Sequence, residues 1–268
     1  MKKSTKRALS TDFRRLFCSK ELYLTIVGIV AVCWLSIWEE VKNLWYDEQI
    51  GSVYYFINVR KGIGAFFLVF TVLCVLPFSL CYYDDRRHGY FEYALRRTSL
   101  RSYCCSKMVV AVTGAFLAVM AGYIIAFGVL ALRFPLITEG SAVNASYPDI
   151  VGAGHIILYF IFNFTSEAIG YAFLAAFTLM ASVFIQNKFV IISVPMIFYY
   201  LYTAVCYLLN LPLLFYWQTL MSNTYFFYQL TDNGVLVWLL TLLYFGVLIL
   251  FCSEGFYRGL KRIWYEDN

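Results

Sequence analysis

Long runs without a charged residue dominate the chain, and charged residues mark where each run ends. These runs cover residues 22–38, 62–83, 108–132, 189–231 and 233–253. Residues 151–187 are also apolar and are interrupted only by His155 and Glu167. A helix needs about 20 apolar residues to cross a hydrocarbon core ~30 Å thick, so each run is close to or above the length of one crossing. The pattern predicts an all-α polytopic membrane protein.

The longest run is too long for one helix. Its 43 residues, 189–231, would make a helix roughly 65 Å long, about twice the thickness of the hydrocarbon core. We expect the break at Asn210-Leu211-Pro212, because proline cannot continue a helix. Residues 211–231 are interpreted as an apolar element that dips into the outer leaflet and returns, which predicts six spans.

The basic residues support six spans over seven. With both termini in the cytoplasm, 17 Lys and Arg residues fall inside and 4 outside, the latter being Lys42, Arg60, Lys61 and Arg133. A seventh span would place the basic C-terminus outside, against the positive-inside bias. We therefore expect one transmembrane domain over residues 1–268, with spans at about 22–38, 62–83, 108–132, 160–186, 189–209 and 234–253.

A short helix is predicted before the first span. Leu9, Phe13, Leu16 and Phe17 recur at helical spacing, with basic residues on the other faces. The spacing predicts an interfacial helix over residues 8–20, lying against lipid headgroups. A generic basic anchor beside the first span explains the same residues equally well.

The composition and the absence of catalytic motifs argue against an enzyme. Hydrophobic residues make up 62% of the chain and charged residues 14%, far from the balance of a soluble enzyme. The Gly-Lys dipeptide of a phosphate-binding loop is absent, and the two histidines, His88 and His155, are too far apart in sequence for a zinc-protease motif. We expect no enzyme, no cofactor and no metal in this chain, no nucleic-acid partner, and eight reduced cysteines.

The segment between the second and third spans, residues 84–107, is the longest predicted cytoplasmic connection. A short helix there would present Tyr90, Phe91, Ala94 and Leu95 between clusters of charge. Such an exposed apolar patch indicates either a docking helix for a soluble partner or a merely interfacial helix.

This segment resembles the signature of bacterial type-2 ABC exporter permeases, which have the type V exporter architecture. The matching positions are Asp85, Gly89, Glu92, Leu95, Arg101 and Lys107. The sequence departs from the family pattern at Tyr90, where threonine is usual, and at Ser99, where proline is usual. The resemblance extends to the interfacial helix, the six spans and the apolar element before the sixth.

The resemblance implies a permease subunit in a bacterial cell membrane, with both termini cytoplasmic. A separate ATPase subunit would carry ATP and Mg²⁺, and a second permease copy or a paralogue would complete a dimer surrounded by membrane lipid. The implied contacts with the ATPase are Arg86, Arg87, Gly89, Tyr90, Phe91, Glu92, Leu95 and Arg96, with Asn187 in a second turn. The expected activity is export of amphipathic or antimicrobial peptides; lipid or drug export, toxin immunity, and a non-transporting scaffold that recruits a cytoplasmic partner are the alternatives.

Four residues are candidates for the substrate path or gate. Glu167 is the one acid within an apolar stretch, and we expect it near the outer boundary as a solvated or hydrogen-bonded gate residue or as a substrate contact. Tyr199, Tyr200 and Tyr202 place phenol groups at several angles of the fifth span. They fit either an aromatic path for apolar cargo or ordinary helix packing and interfacial belts.

Overall fold

The computed structural model describes residues 3–45, 51–62, 64–138, 146–222 and 225–266. Helix accounts for 79% of the structure, and the described residues contain no strand. The helices are α1 (Lys3–Phe17), α2 (Lys20–Asn43), α3 (Val53–Gly62), α4 (Gly64–Leu73), α5 (Cys81–Arg87), α6 (Tyr90–Leu95), α7 (Leu100–Leu130), α8 (Pro148–Gly152), α9 (Ile156–Ala181), α10 (Lys188–Leu208), α11 (Trp217–Ser222), α12 (Tyr225–Tyr228) and α13 (Gly234–Glu266). A 3₁₀ helix at Leu213–Phe215 precedes α11.

Five of the described helices are long and apolar enough to cross a membrane: α2, α7, α9, α10 and α13. They coincide with five of the six predicted spans. The other predicted span, residues 62–83, is not one helix, because α4 ends at Leu73 and turns follow at 74–80 before α5. Pro77 lies in those turns and cannot donate a backbone hydrogen bond. Residue 63, within the same predicted span, lies outside the described residues.

Polar side chains start three of the long helices. Ser19 and Ser99 accept hydrogen bonds from Leu22 N and Ser102 N, both at 3.3 Å, at the starts of α2 and α7. Asn187 Oδ1 accepts from Phe189 N at 2.9 Å and caps α10. Ser99 stands where the resembled family has proline, and here its hydroxyl satisfies an N–H at the start of α7 that would otherwise have no partner.

The predicted break after α10 is confirmed. The helix ends at Leu208, and Asn210 adopts a φ of 47°, which stops helical propagation immediately before Pro212. In the following segment Trp217 packs on Phe173 of α9, with ring centroids 6.2 Å apart, and Phe173 in turn contacts Phe245 of α13. Phe245 is eleven residues into α13, about 16 Å along its axis.

The segment 211–231 therefore reaches well into the bundle, although residues 223 and 224 within it lie outside the described part of the chain. Its re-entry into a membrane stays a prediction.

Small residues let α7 and α9 approach closely at the centre of the bundle. Ala115 of α7 packs against Ala172 and Ala175 of α9, and all three are buried. Close approach through small side chains is the usual packing of helices in membranes, where the hydrophobic effect does not drive helices together.

The helices α1, α2 and α7 run in the same direction, which defines the two ends of the bundle. Leu16 of α1 lies beside Gly114, Ile29 of α2 beside Gly122, and Trp45 against Phe134, at successive positions along α7. The end that carries α6 is called the loop end below. The end that carries Trp45 and Phe134 is called the far end, and α3 begins there, since Val53 N donates to Pro135 O at 3.0 Å.

Candidate functional site

The most buried side chain of α6 is that of Phe91, which packs into the bundle. Gly89 precedes it with a φ of 68°, a conformation that favours glycine and turns the chain sharply after α5. Phe91 is only 7% exposed, and its ring contacts those of Tyr82, Tyr103 and Trp264 at centroid distances of 5.6, 5.4 and 6.0 Å. The sequence interpretation placed Phe91 on an exposed patch; the structure instead turns it inward as the anchor of α6.

The outer surface of α6 is aromatic and charged. Tyr90 and Tyr93 are 39% and 48% exposed, while Ala94 and Leu95 are half-buried against the core. The remaining predicted contact residues of this loop, Arg86, Arg87, Gly89, Glu92 and Arg96, are all exposed. The surface available to a partner therefore consists of tyrosine and charged side chains, with little aliphatic area.

Beneath this surface lies a cluster of four charged residues, called here the loop-end cluster: Asp12, Arg15, Asp85 and Lys107. Lys107 is 1% exposed, and its Nζ lies 2.8 Å from Asp12 Oδ1 and 2.9 Å from Asp85 Oδ2. Arg15 Nη2 donates to Asp85 Oδ1 at 2.9 Å. The two cations and two anions balance, which is how buried charge is tolerated.

Hydroxyl groups complete the loop-end cluster. Tyr103 donates to Asp85 Oδ2 at 2.9 Å, and Ser106 donates to Asp12 Oδ2. Burial lowers the pKa of the Arg15 guanidinium, but the hydrogen bond to Asp85 and the charges of Asp85 and Asp12 together outweigh burial and raise the pKa overall. The cluster thus joins α1, α5 and α7 through ion pairs and hydrogen bonds.

Sequence reasoning found only half of this cluster. Asp85 and Lys107 belong to the motif that the resemblance rests on, whereas Asp12 and Arg15 were not singled out. Asp12 had a usable signal, since it is the one acid among the basic residues of α1. Nothing in the spacing shows that Asp12 would meet Lys107, 95 residues further along the chain.

The turn between α9 and α10, residues 186–188, lies beside the loop. Lys188 Nζ is 3.3 Å from Asp84 Oδ1, so the two segments predicted to contact a partner are neighbours at the loop end. A cavity of about 340 Å³ between α5 and this turn includes Arg87 and Gln186 in its lining, and one of about 270 Å³ between α6 and the end of α13 includes Glu92 and Trp264. Asn187 itself caps α10, so its side chain has a structural role independent of any partner.

A second set of buried polar residues lies inside the bundle, away from both ends, and is called here the mid-bundle cluster: Arg60, Tyr123 and Glu167. Arg60 Nη2 and Tyr123 Oη both donate to Glu167 Oε2, each at 2.6 Å. The guanidinium also lies over the Tyr123 ring, 4.7 Å from its centroid. Arg60 is 7% exposed and Glu167 2%, so this ion pair is buried.

The mid-bundle cluster bears on the expectations for Arg60 and Glu167. The count of basic residues places Arg60 in an outer loop. In the structure, α3 carries Arg60 from the far end into the bundle, where its guanidinium pairs with the buried carboxylate of Glu167 on α9. Glu167 is expected near the outer boundary, as a solvated or hydrogen-bonded gate residue or as a substrate contact; in the structure it is buried and hydrogen-bonded. Since α9 begins at Ile156 and ends at Ala181, Glu167 lies near the middle of that helix.

The predicted gate tyrosines do not converge on Glu167. Tyr199 contacts Trp217 at 6.2 Å between centroids, and Tyr202 stacks on Phe198 at 5.2 Å, so both belong to the aromatic packing around α11. Tyr200 is 53% exposed on the outer face of α10. Gly170, one turn after Glu167, does lie against Met221 of α11, which brings the apolar element close to the acid's helix.

The fold and these sites define a helical, membrane-embedded protein with two buried charge clusters and an aromatic surface helix at one end. Comparisons of the chain with protein-family models, with curated proteins and with solved structures found no match.

Proposed function

We propose that the chain is the membrane-spanning subunit of an ATP-driven exporter and receives motion from a separate ATPase through α6. The observation that carries the proposal is the neighbourhood of α6 and the turn at 186–188, held together by Asp84 and Lys188. Two segments far apart in sequence thus form one surface, with cavities on either side of Arg86 into which a partner's side chains can fit.

The anchoring of α6 supports a mechanical role. Phe91 connects α6 to α5, α7 and α13 through three ring contacts, and the loop-end cluster connects α5 to α1 and α7. Because a packed core transmits displacement rather than absorbing it, a push on α6 would move these helices together. A surface that only binds a partner, without transmitting motion, would not need these connections between α6 and the long helices.

In this proposal the six-span topology includes the broken segment α3–α4–α5 as the second crossing, and 211–231 closes the far end. The loop end faces the cytoplasm of a bacterial cell and a second permease copy completes the path. The cargo is an amphipathic peptide, a proposal that rests on the small size and aromatic content of the chain. Nucleotide and Mg²⁺ stay on the ATPase.

The test is co-purification with candidate ATP-binding-cassette subunits, followed by ATPase and peptide-uptake assays in inverted vesicles. The variant Glu92→Lys/Arg96→Glu reverses two exposed charges of α6 and is expected to reduce complex formation and peptide uptake by tenfold or more. The matched control Glu254→Lys/Arg258→Glu reverses an exposed pair on α13 and is expected to change neither.

Two results would contradict the proposal. If no ATPase associates with the chain, or if both charge-reversed variants reduce complex formation equally, α6 is not the contact with the ATPase. If a complex forms without ATP-dependent uptake and without any change in ATPase rate, the chain is a scaffold that recruits a cytoplasmic partner.

A further inference from the structure

A cavity of about 500 Å³ lies at the loop end between α1, α6 and the start of α7. It is within the volume range of pockets that hold small ligands. Polar and aromatic groups from all three elements line it, including Arg7 and Thr11 from α1, and Tyr93, Arg97 and Thr98 from the α6 segment. Its location is distinct from the two cavities beside Arg86.

The walls of this cavity carry two guanidinium groups without a neutralising partner. No carboxylate of the described residues lies within 4 Å of Arg7 or Arg97. Asp12 reaches the cavity floor, but both its oxygens are engaged by Lys107 and Ser106. The cavity is therefore electropositive, and Arg97 is held in place over the Tyr93 ring, 4.4 Å from its centroid.

The cavity also lies at a defined depth. Lys107 lines it and is the last charged residue before the uncharged run that starts at Met108. The cavity therefore extends from the edge of the apolar part of α7 toward the polar side, the layer that phospholipid phosphates occupy.

We infer that this cavity binds the phosphate of an anionic phospholipid headgroup, with Arg7 and Arg97 as the charged ligands. The nearby hydroxyls of Thr11 and Thr98 donate to the backbone carbonyls of Arg7 and Ala94. The arrangement suits a phosphodiester, since guanidinium groups donate paired hydrogen bonds to phosphate oxygens. The bound lipid would connect α1 to the α6 segment. This inference does not rest on the proposed export function, because it needs only a membrane beside α1.

The test uses the full chain in nanodiscs of phosphatidylcholine alone or of phosphatidylcholine mixed with phosphatidylglycerol. Native mass spectrometry counts retained phosphatidylglycerol, and thermal unfolding reports its effect on stability. We expect one phosphatidylglycerol retained per chain and a higher Tm in the mixed discs. The variant Arg7→Gln/Arg97→Gln is expected to retain the lipid about thirtyfold less tightly, with no Tm difference between the two discs.

The matched control is Arg14→Gln/Arg101→Gln. It removes the same charge from exposed positions of α1 and α7 that do not line the cavity, and should keep the lipid. The conservative variant Arg7→Lys/Arg97→Lys should keep most of the binding. Ala8→Leu, which fills part of the cavity without removing charge, should weaken retention even if the glutamine variant fails to fold.

Two outcomes would overturn the inference. If the glutamine variant and the Arg14/Arg101 control lose phosphatidylglycerol equally, the lipid is held by the overall positive charge of the loop end and the cavity is not the binding site. If inorganic phosphate raises the Tm in pure phosphatidylcholine discs as much as phosphatidylglycerol does, and only with Arg7 and Arg97 present, the ligand is a soluble phosphate and not a lipid.

Discussion

The ion pair of Arg60 and Glu167 joins α3 to α9 inside the bundle. Its two charges are buried, and Tyr123 supplies a further hydrogen bond to the same carboxylate oxygen. Buried pairs add little net stability compared with apolar residues of similar size, but removing one partner leaves an uncompensated charge. The pair therefore matters most as a constraint on which helices can lie together.

We predict that Arg60→Met and Glu167→Leu each lower the free energy of unfolding by about 3–5 kcal/mol, because each leaves a buried charge alone. The double variant removes both charges and should lose less than either single variant. Denaturation of the purified protein by SDS measures all three. If the loss of unfolding free energy in the double variant equals the sum of the two single losses, the two side chains do not stabilise each other.

The anchoring of α6 gives a second prediction at this scale. Phe91→Ala removes the buried ring between α6 and three other helices and is expected to cost about 3–5 kcal/mol of local stability. Faster tryptic cleavage at Arg96 and Arg97 reports the loosened segment. Glu92→Gln, at an exposed position of the same helix, is the control and should leave the cleavage rate near that of wild type; equal rates for the two variants would contradict the anchoring role.

Among the elements, α7 shows how close helix packing depends on glycine. A Cβ added at Gly122 would overlap the side chain of Ile29 on α2, whereas a Cβ at Gly128 would meet nothing within 4 Å. The same substitution on one helix thus separates a packing effect from the intrinsic helix preference of alanine.

We predict that Gly122→Ala destabilises the protein by about 1–3 kcal/mol through overpacking, despite the better helix propensity of alanine. Gly128→Ala should be neutral or stabilise by up to about 1 kcal/mol. Thermal unfolding in detergent distinguishes the two. If both variants show the same Tm, α2 and α7 do not pack as closely as the structure has them.

The long helices were largely predictable from the sequence, and the broken one was not. The predicted spans locate both ends of α10 to within one residue and those of α2 and α9 to within five, because burial and lipid both exclude charge. However, α7 begins eight residues before its predicted span and α13 continues thirteen residues beyond its own. The same rule placed Arg60 wrongly, because it treats every charged residue as the end of a span unless a partner for the charge is known. The partner of Arg60 is Glu167, which is 107 residues away in the sequence. Half of the loop-end cluster was not predicted for the same reason, because Asp12 and Lys107 come into contact only in the folded chain.

For the whole molecule, the exposed side chains indicate what surrounds it. The outward faces of α10 and α13 carry large apolar side chains such as Leu201, Leu208, Leu243 and Leu250, each more than 60% exposed. Continuous apolar surface of this kind is rare on soluble monomers. Lipid or a second copy must cover these two faces, while the charged loop end stays in water.

The orientation of the whole bundle can be tested with single cysteines. Tyr93 at the loop end and Leu132 at the far end, 88% exposed, lie on opposite ends of the bundle. The native thiols Cys18 and Cys105 are exposed and are replaced by serine in the background, whereas the other six are buried. We predict that an impermeant maleimide labels Leu132→Cys in intact cells and labels Tyr93→Cys only after the membrane is permeabilised.

The positive-inside bias is the physical reason for this expectation, because the loop end holds most of the basic residues. Labelling of Tyr93→Cys in intact cells would place α6 outside, where no ATP-driven partner could reach it. The coupling proposal would then fail, whereas the lipid-binding cavity would remain testable in the other leaflet. The same experiment therefore separates the two proposals by the side of the membrane that each requires.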